Sequence, residues 1–155
     1  MRLMLCAVGT RVPDWVSDGY TDYARRLPRE LRLELRAVPA ADRRNGQGEA
    51  RWQAEEAERL TAAAGADALR IALDERGRAW SSRDLADQLD DWRMLGRDVA
   101  LFVGGPDGLA PSLLESASQR WSLSSLTLPH ALVRVLVAEQ IYRAWTLLSG
   151  HPYHR

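Results

Sequence analysis

The sequence predicts an α/β fold in which a mainly parallel sheet is flanked by helices. Short apolar segments alternate with amphipathic helical patterns along most of the chain, which is typical of parallel sheets. The clearest segment, 99–103, reads Val-Ala-Leu-Phe-Val, and such an apolar run indicates a central strand covered on both faces. From 155 residues and 46% hydrophobic content we expect one domain, 1–155, with a sizeable core.

Composition excludes several kinds of chemistry. All 21 basic residues are arginine, so Schiff-base chemistry and a P-loop lysine are excluded. They balance 21 acidic residues, and a nucleic-acid partner would therefore have to meet a local basic patch. The single cysteine, Cys6, excludes an internal disulfide and a multi-cysteine zinc site, and its apolar neighbours indicate a buried thiol. We expect a cytoplasmic protein without a membrane span or secretory signal.

Hydrophobic periodicity places the elements in order. Strands are expected at 3–8, 31–37, 68–73, 99–103 and 121–123, and helices at 15–26, 49–64, 82–95, 111–119 and 130–149. Pro13 and Asp14 are predicted to cap the first helix, and Ser81 with Asp84 to form a capping box for the third. Gly96 is its expected stop. The alternating second strand is predicted to lie near a sheet edge, and the third to end at Asp74.

A glycine-rich turn follows the predicted central strand. Gly104 and Gly105 let the backbone approach a ligand, and Pro106–Gly108 suits a type I turn. Ligands of open α/β sheets bind beyond the carboxyl ends of the strands, so we expect a ligand at this turn. On that basis, Gly104→Val should weaken ligand binding before it weakens folding. The alternative is a tight strand-to-helix connection without a ligand.

Two further segments have alternative interpretations. The polar segment 40–48 carries Arg43 and Arg44, and it is either a phosphate-contacting loop or a solvated connection. The last helix carries a wide apolar stripe from Leu132 to Leu148, for which a second subunit is the expected cover. A helix buried within one chain is the alternative. We expect Val137, on this stripe, to lie at the interface, so that Val137→Glu would place an unpaired charge there.

Titratable groups are concentrated near the C-terminal end of the sequence. All three histidines, His130, His151 and His154, lie there, and the sequence closes with His-Pro-Tyr-His-Arg at 151–155. We call residues 151–155 the tail. A polar terminal segment is either frayed or functional, and the pattern alone does not choose.

Several motifs occur together over the whole chain. They are Ala-Val-Gly-Thr at 7–10, Phe-Val-Gly-Gly-Pro-Asp-Gly at 102–108, Trp-Ser-Leu-Ser at 121–124, Leu-Pro-His at 128–130, Leu-Val-Arg at 132–134, Arg-Ala-Trp at 143–145 and the tail. Their combination resembles the bacterial 23S ribosomal RNA (pseudouridine-N3) methyltransferases, the H type of the SPOUT superfamily. The resemblance runs from residue 1 to residue 155.

The resemblance implies a fold, a cofactor and an assembly. SPOUT domains tie the C-terminal third of the chain into a trefoil knot, which periodicity alone does not show, and bind S-adenosylmethionine there. Members of this family are homodimers with the last helix at the interface. The positions that match the family's cofactor site are Leu73, Gly104, Gly105, Leu123, Ser124, Ser125, Leu126, Thr127 and Leu128.

The resemblance also implies an activity, methylation of N3 of a pseudouridine in the helix 69 loop of 23S rRNA. The imide nitrogen must lose a proton, so His154 is expected as base or relay and Arg155 as a charge stabiliser. Tyr153 would stack on or hydrogen-bond to the target base. Arg25, Arg26, Arg43 and Arg44 are candidates for phosphate contacts, and no metal is expected. The alternatives are a SPOUT methyltransferase for another RNA and a nucleotide-sensing module that uses only the glycine turn.

Overall fold

The computed structural model describes residues 1–154. The strands are β1 (Arg2–Val8), β2 (Arg32–Val38), β3 (Leu69–Ala79), β4 (Val99–Val103) and β5 (Gln119–Ser122). The helices are α1 (Asp14–Ala24), α2 (Glu49–Ala64), α3 (Ser82–Leu95), α4 (Pro111–Ser116) and α5 (His130–Ser149). Short 3-10 turns lie at Arg29–Leu31, Arg43–Asn45 and Pro152–His154.

The five strands form one parallel sheet in the order β2-β1-β4-β3-β5. This confirms the predicted fold class and the edge position of β2, while the knot stays a prediction. Helices α1, α3 and α5 cover one face of the sheet, and α2 and α4 cover the other. Every residue of β4 is buried, because β4 lies at the centre of the sheet with helices on both sides.

Local capping signals explain where α3 begins and ends. The Ser81 side chain accepts a hydrogen bond from the Asp84 backbone, the Asp84 carboxylate accepts one from the Ser81 backbone, and Gly96 ends the helix in a left-handed conformation. The predicted cap on α1 is wrong. Pro13 precedes that helix, Asp14 is its first residue, and no side chain among residues 1–154 caps the start of α1.

Strand β3 is longer than predicted. After an irregularity at residues 74–77, Arg78 pairs with Trp121 and Ala79 with Ser122 of β5. A Cβ on Gly77 would lie 2.7 Å from the backbone carbon of Arg120, so glycine permits this approach. The predicted end of β3 at Asp74 is therefore wrong. Helix α4 ends at Ser116, not near Gln119, because Gln119 already belongs to β5.

Helix α5 packs against both α1 and α3 and is largely covered within one chain. Val137 is 0% exposed and lies in the hydrophobic core with Val133, Ile141 and Ala144. The expectation that Val137 faces a second subunit is therefore wrong. Leu132, Leu136 and Leu148 remain half-exposed on the same helix. Within residues 1–154, no helix has both the length and the apolarity to cross a membrane.

Candidate functional site

A cleft of about 940 Å³ opens at the carboxyl edge of the sheet. Its walls come from six parts of the chain: 73–76 in β3, 103–109 at the end of β4 and after it, 121–128, and residues of α2, α4 and the start of α5. Parallel strands bring their carboxyl ends to the same edge, which is why these segments meet. The predicted position of a ligand site beyond β4 coincides with this cleft.

Most of the predicted cofactor positions line the cleft. They are Leu73, Gly104, Gly105, Leu123, Ser124, Leu126, Thr127 and Leu128. Ser125 belongs to the same segment but is exposed, and it is not one of the residues that line the cleft. The roles of all these residues in cofactor binding stay predictions.

The glycine turn closes as predicted, with Gly108 N–H donating to the Gly105 carbonyl at 3.0 Å. However, the two glycines are required by the protein itself. A Cβ on Gly104 would lie 2.6 Å from the Gly108 carbonyl carbon, and one on Gly105 would lie 2.9 Å from Val8 Cγ1. Both spaces are already filled by protein atoms. The expectation that Gly104→Val spares folding is therefore wrong.

Hydroxyl groups shape the segment 123–128, which follows β5. The Ser122 hydroxyl donates to the Ser124 carbonyl at 3.0 Å, and the Ser124 hydroxyl accepts from Leu126 N–H at 2.9 Å. The Thr127 hydroxyl donates to Glu75 Oε2 at 3.0 Å, which joins this segment to the irregular part of β3. Small polar residues thus satisfy the backbone of a non-helical wall while Leu126, 71% exposed, stays on the surface.

Two side chains at the start of α5, His130 and Arg134, each have one buried nitrogen without a hydrogen-bond partner among residues 1–154. His130 lines the cleft, and its buried Nδ1 makes no hydrogen bond within residues 1–154. One turn later, buried Arg134 donates to the carbonyls of Val8 and Gly9, and burial lowers its pKa. Arg134 thus holds the end of β1 beside the cleft. Sequence reasoning assigned it no role, although an arginine inside the apolar run 132–137 is a signal of a buried polar contact.

Residues 151–154 of the tail fold against α5, so this part of the tail is not frayed. The Tyr153 hydroxyl donates to Glu139 Oε1 at 3.0 Å, and its ring lies 4.6 Å from the ring of Tyr142. Burial and the hydrogen bond to Glu139 raise the pKa of Tyr153. His154 Nδ1 lies 3.3 Å from the Thr146 hydroxyl. Arg155 lies outside the described residues.

The structure does not bring the tail to the cleft of its own chain. Helix α5 has 20 residues and begins at the cleft, so it extends about 30 Å away from it. Glu139, the tail contact nearest the cleft in sequence, is about 14 Å along the axis from His130. Tyr153 and His154 accordingly do not line the cleft.

The four candidate phosphate-binding arginines differ in their surroundings. Arg25 and Arg26 each pair with Asp22, at 3.1 and 3.0 Å, and stay exposed. Arg44 pairs with Asp42 and its side chain is 92% exposed. Arg43 instead points inward, where it pairs with Glu56 and Asp107. The segment 40–48 is therefore neither simply solvated nor wholly available to phosphates.

Within residues 1–154, no three histidine, cysteine, aspartate or glutamate side chains converge as metal ligands. The parallel sheet and the cleft at its carboxyl edge are those of an α/β protein that binds a ligand at the strand ends. A family model described as "Predicted SPOUT methyltransferase" matches residues 1–154, and the chain belongs to this family of enzymes.

Among named relatives, the chain is 55% identical to "Ribosomal RNA large subunit methyltransferase H" of Bordetella avium (strain 197N), over 100% of this chain and 99% of that protein. It is 52% identical to the protein of the same name from Pseudomonas fluorescens, over the full length of both.

Solved structures show the same fold at low identity. A probable methylase family protein from Haemophilus influenzae superimposes with a TM-score of 0.59 at 15% identity, over 99% of this chain and 70% of that one. A probable methyltransferase from Bordetella pertussis gives 0.55 at 19% identity, over 92% and 95%. These likenesses support the fold alone.

Proposed function

We propose that this protein transfers a methyl group from S-adenosylmethionine to N3 of a pseudouridine in 23S rRNA, in the helix 69 loop, and acts as a homodimer. The observation that carries the proposal is that Leu73, Gly104 and the segment 123–128 meet on one cleft. The names of the full-length relatives support ribosomal RNA of the large subunit as substrate. Such a substrate would place the enzyme in the cytoplasm.

The cleft fits the cofactor in size and chemistry. Small-molecule pockets are about 300–1,000 Å³, and this cleft measures about 940 Å³. Leu73, Leu123 and Leu128 offer apolar surface to an adenine ring, and the carboxylates of Asp74 and Glu75 on the wall complement a positively charged sulfonium. When bound, S-adenosylmethionine supplies an electrophilic methyl group, and this chemistry needs no metal.

The tail supplies the proton chemistry in this proposal. The imide nitrogen is nucleophilic after deprotonation, for which His154 is the base or relay. Arg155 stabilises the developing negative charge, and Tyr153 contacts the target base. Because the tail packs on α5 away from its own cleft, we assign it to the cleft of a second copy. The half-exposed Leu132, Leu136 and Leu148 on α5 support an interface along that helix.

Labelled methyl transfer tests the reaction. Purified large subunits, from cells with and without the pseudouridine synthase that modifies helix 69, receive enzyme and methyl-labelled S-adenosylmethionine. We expect label in pseudouridylated rRNA and little in the unmodified control. Equal labelling of both substrates would contradict pseudouridine as the target, and absence of label from both would contradict the proposed substrate.

Mixed dimers test the shared site. One subunit lacks residues 151–155, and the other carries Leu126→Arg, checked first by titration for loss of cofactor binding. If the tail serves the second cleft, randomly mixed subunits regain activity at about one quarter of all sites. A tail that serves its own cleft leaves the mixture inactive.

A further inference from the structure

A buried carboxylate lies behind the glycine turn. Glu56 of α2 is 2% exposed and accepts hydrogen bonds from Ala41 N–H, at 2.9 Å, and from the Arg43 guanidinium. Its Oε1 lies 3.3 Å from the position that a Cβ on Gly105 would occupy. The Arg43–Glu56 ion pair is therefore in close contact with the turn that forms one wall of the cleft.

Arg43 connects this buried carboxylate with the cleft wall. Its second terminal nitrogen donates to Asp107 Oδ2 at 2.7 Å, and Asp107 lines the cleft. The indole ring of Trp52 lies 5.4 Å from the guanidinium carbon. From the same helix, Gln53 donates to the Asp107 carbonyl at 2.7 Å. Arg43 thus binds the carboxylate of Asp107, and Gln53 binds its backbone carbonyl.

We propose that Arg43 is a positioning residue for cofactor binding, which holds Asp107 and with it the turn 104–108 in the geometry that the cofactor requires. This inference rests on the proposed function of the cleft. Arginine suits this role because its planar guanidinium carries several N–H donors in fixed directions and can bridge two carboxylates at once. A buried ion pair is in general weak evidence of stabilisation, so its contact with a wall of the cleft is the more informative feature.

The first test measures S-adenosylmethionine affinity by calorimetric titration of Arg43→Met, with Arg44→Met as matched control. Arg44 is the neighbouring arginine and is exposed, so its loss should leave the affinity unchanged. For Arg43→Met we expect a dissociation constant raised about 10- to 100-fold, because a displaced wall misplaces the ligand. Equal affinity of wild type and Arg43→Met would overturn the inference. Failure of the wild type to bind at all would instead overturn the proposed function.

A second variant separates positioning from stability. Arg43→Met leaves the buried Glu56 carboxylate without its cation, which by itself destabilises the fold. Arg43→Met with Glu56→Gln removes that buried charge, so thermal stability should recover while cofactor affinity stays low. If affinity recovers together with stability, Arg43 has only a structural role. In steady state, the KM for the cofactor should rise while kcat at saturating cofactor stays near the wild-type value.

A double-mutant cycle tests the route through Asp107. If Arg43 acts by holding Asp107, then Arg43→Met and Asp107→Asn weaken binding by similar factors, and the double variant is no worse than either. Independent contacts with the cofactor would make the two effects multiply. That result would overturn the positioning role.

Discussion

The cleft and the tail differ in how they are built. Six segments of one chain form the walls of the cleft, and partly buried contacts such as Arg43–Asp107 hold them in place. The tail rests on the side of α5 through a few polar and aromatic contacts, away from that cleft. Under the proposed function, one chain would therefore suffice to bind the cofactor, whereas methyl transfer would need the tail of a second chain.

Deleting residues 151–155 should have the largest effect on activity, because it removes the tail and leaves the cleft intact. Few apolar contacts are lost, so cofactor binding and dimerisation should survive while methyl transfer is abolished. Calorimetric titration, sedimentation and single-turnover methyl transfer measure the three properties. Methylation at the wild-type rate would remove the tail from the reaction and direct attention to His130.

His154→Ala should lower the single-turnover rate by about 100- to 10,000-fold if the imidazole acts as base or relay. Thr146→Val is the matched control, because it removes the hydroxyl 3.3 Å from His154 Nδ1 and keeps the imidazole. We expect the control to have the smaller effect. Equal losses in the two variants would indicate that His154 only anchors the tail.

Val137→Glu and Leu136→Glu compare the two sides of α5. Val137 is wholly buried, so an unpaired charge there should cost about 3–5 kcal/mol in free energy of unfolding. Leu136 is half-exposed, so its charge should leave the monomer folded and shift the dimer towards monomer. Thermal melting and sedimentation distinguish the outcomes. A folded, dimeric Leu136→Glu protein would place the interface elsewhere.

Gly104→Val should lower the free energy of unfolding by about 3 kcal/mol through overpacking against the Gly108 backbone, more than its control does. Gly46→Ala is the control, since an added Cβ there meets no atom of residues 1–154 within 4 Å. It should cost about 1–2 kcal/mol through its left-handed backbone alone. Weakened cofactor binding in a Gly104→Val protein of unchanged melting temperature would restore the earlier expectation.

Sequence patterns predicted those elements whose signals are local. The apolar run of β4 forms that strand and the capping box of α3 lies at the start of that helix, and the predicted bounds agree. The continuation of β3 past Asp74 depends on Gly77 meeting the β5 backbone, a contact between distant residues. No local pattern carries that information.

The same limit applies to the candidate site. The resemblance named nine positions for the cofactor, and eight of them line the cleft. Arg43, in contrast, reads as a loop charge because its partners, Glu56 and Asp107, are remote in sequence. The stripe on α5 indicates which residues are apolar, but it does not indicate which element covers them. The sequence therefore predicts Val137 at an interface, whereas α1 and α3 cover that side of the helix. The separation of tail and cleft depends on how the tail folds back, which periodicity does not encode.

Helix α5 also sets a length scale for the proposed dimer. It begins at one cleft with His130 and carries its own tail from Glu139 to Thr146. A two-fold axis relates the same residue in both subunits. For each tail to reach the opposite cleft, the axis must pass α5 between its cleft end and the residues that contact the tail. Inserting one helical turn, about 5.4 Å, would move tail and cleft out of alignment while both stayed folded. In the proposed dimer, the length of α5 would thus set the distance between the tail of one chain and the cleft of the other.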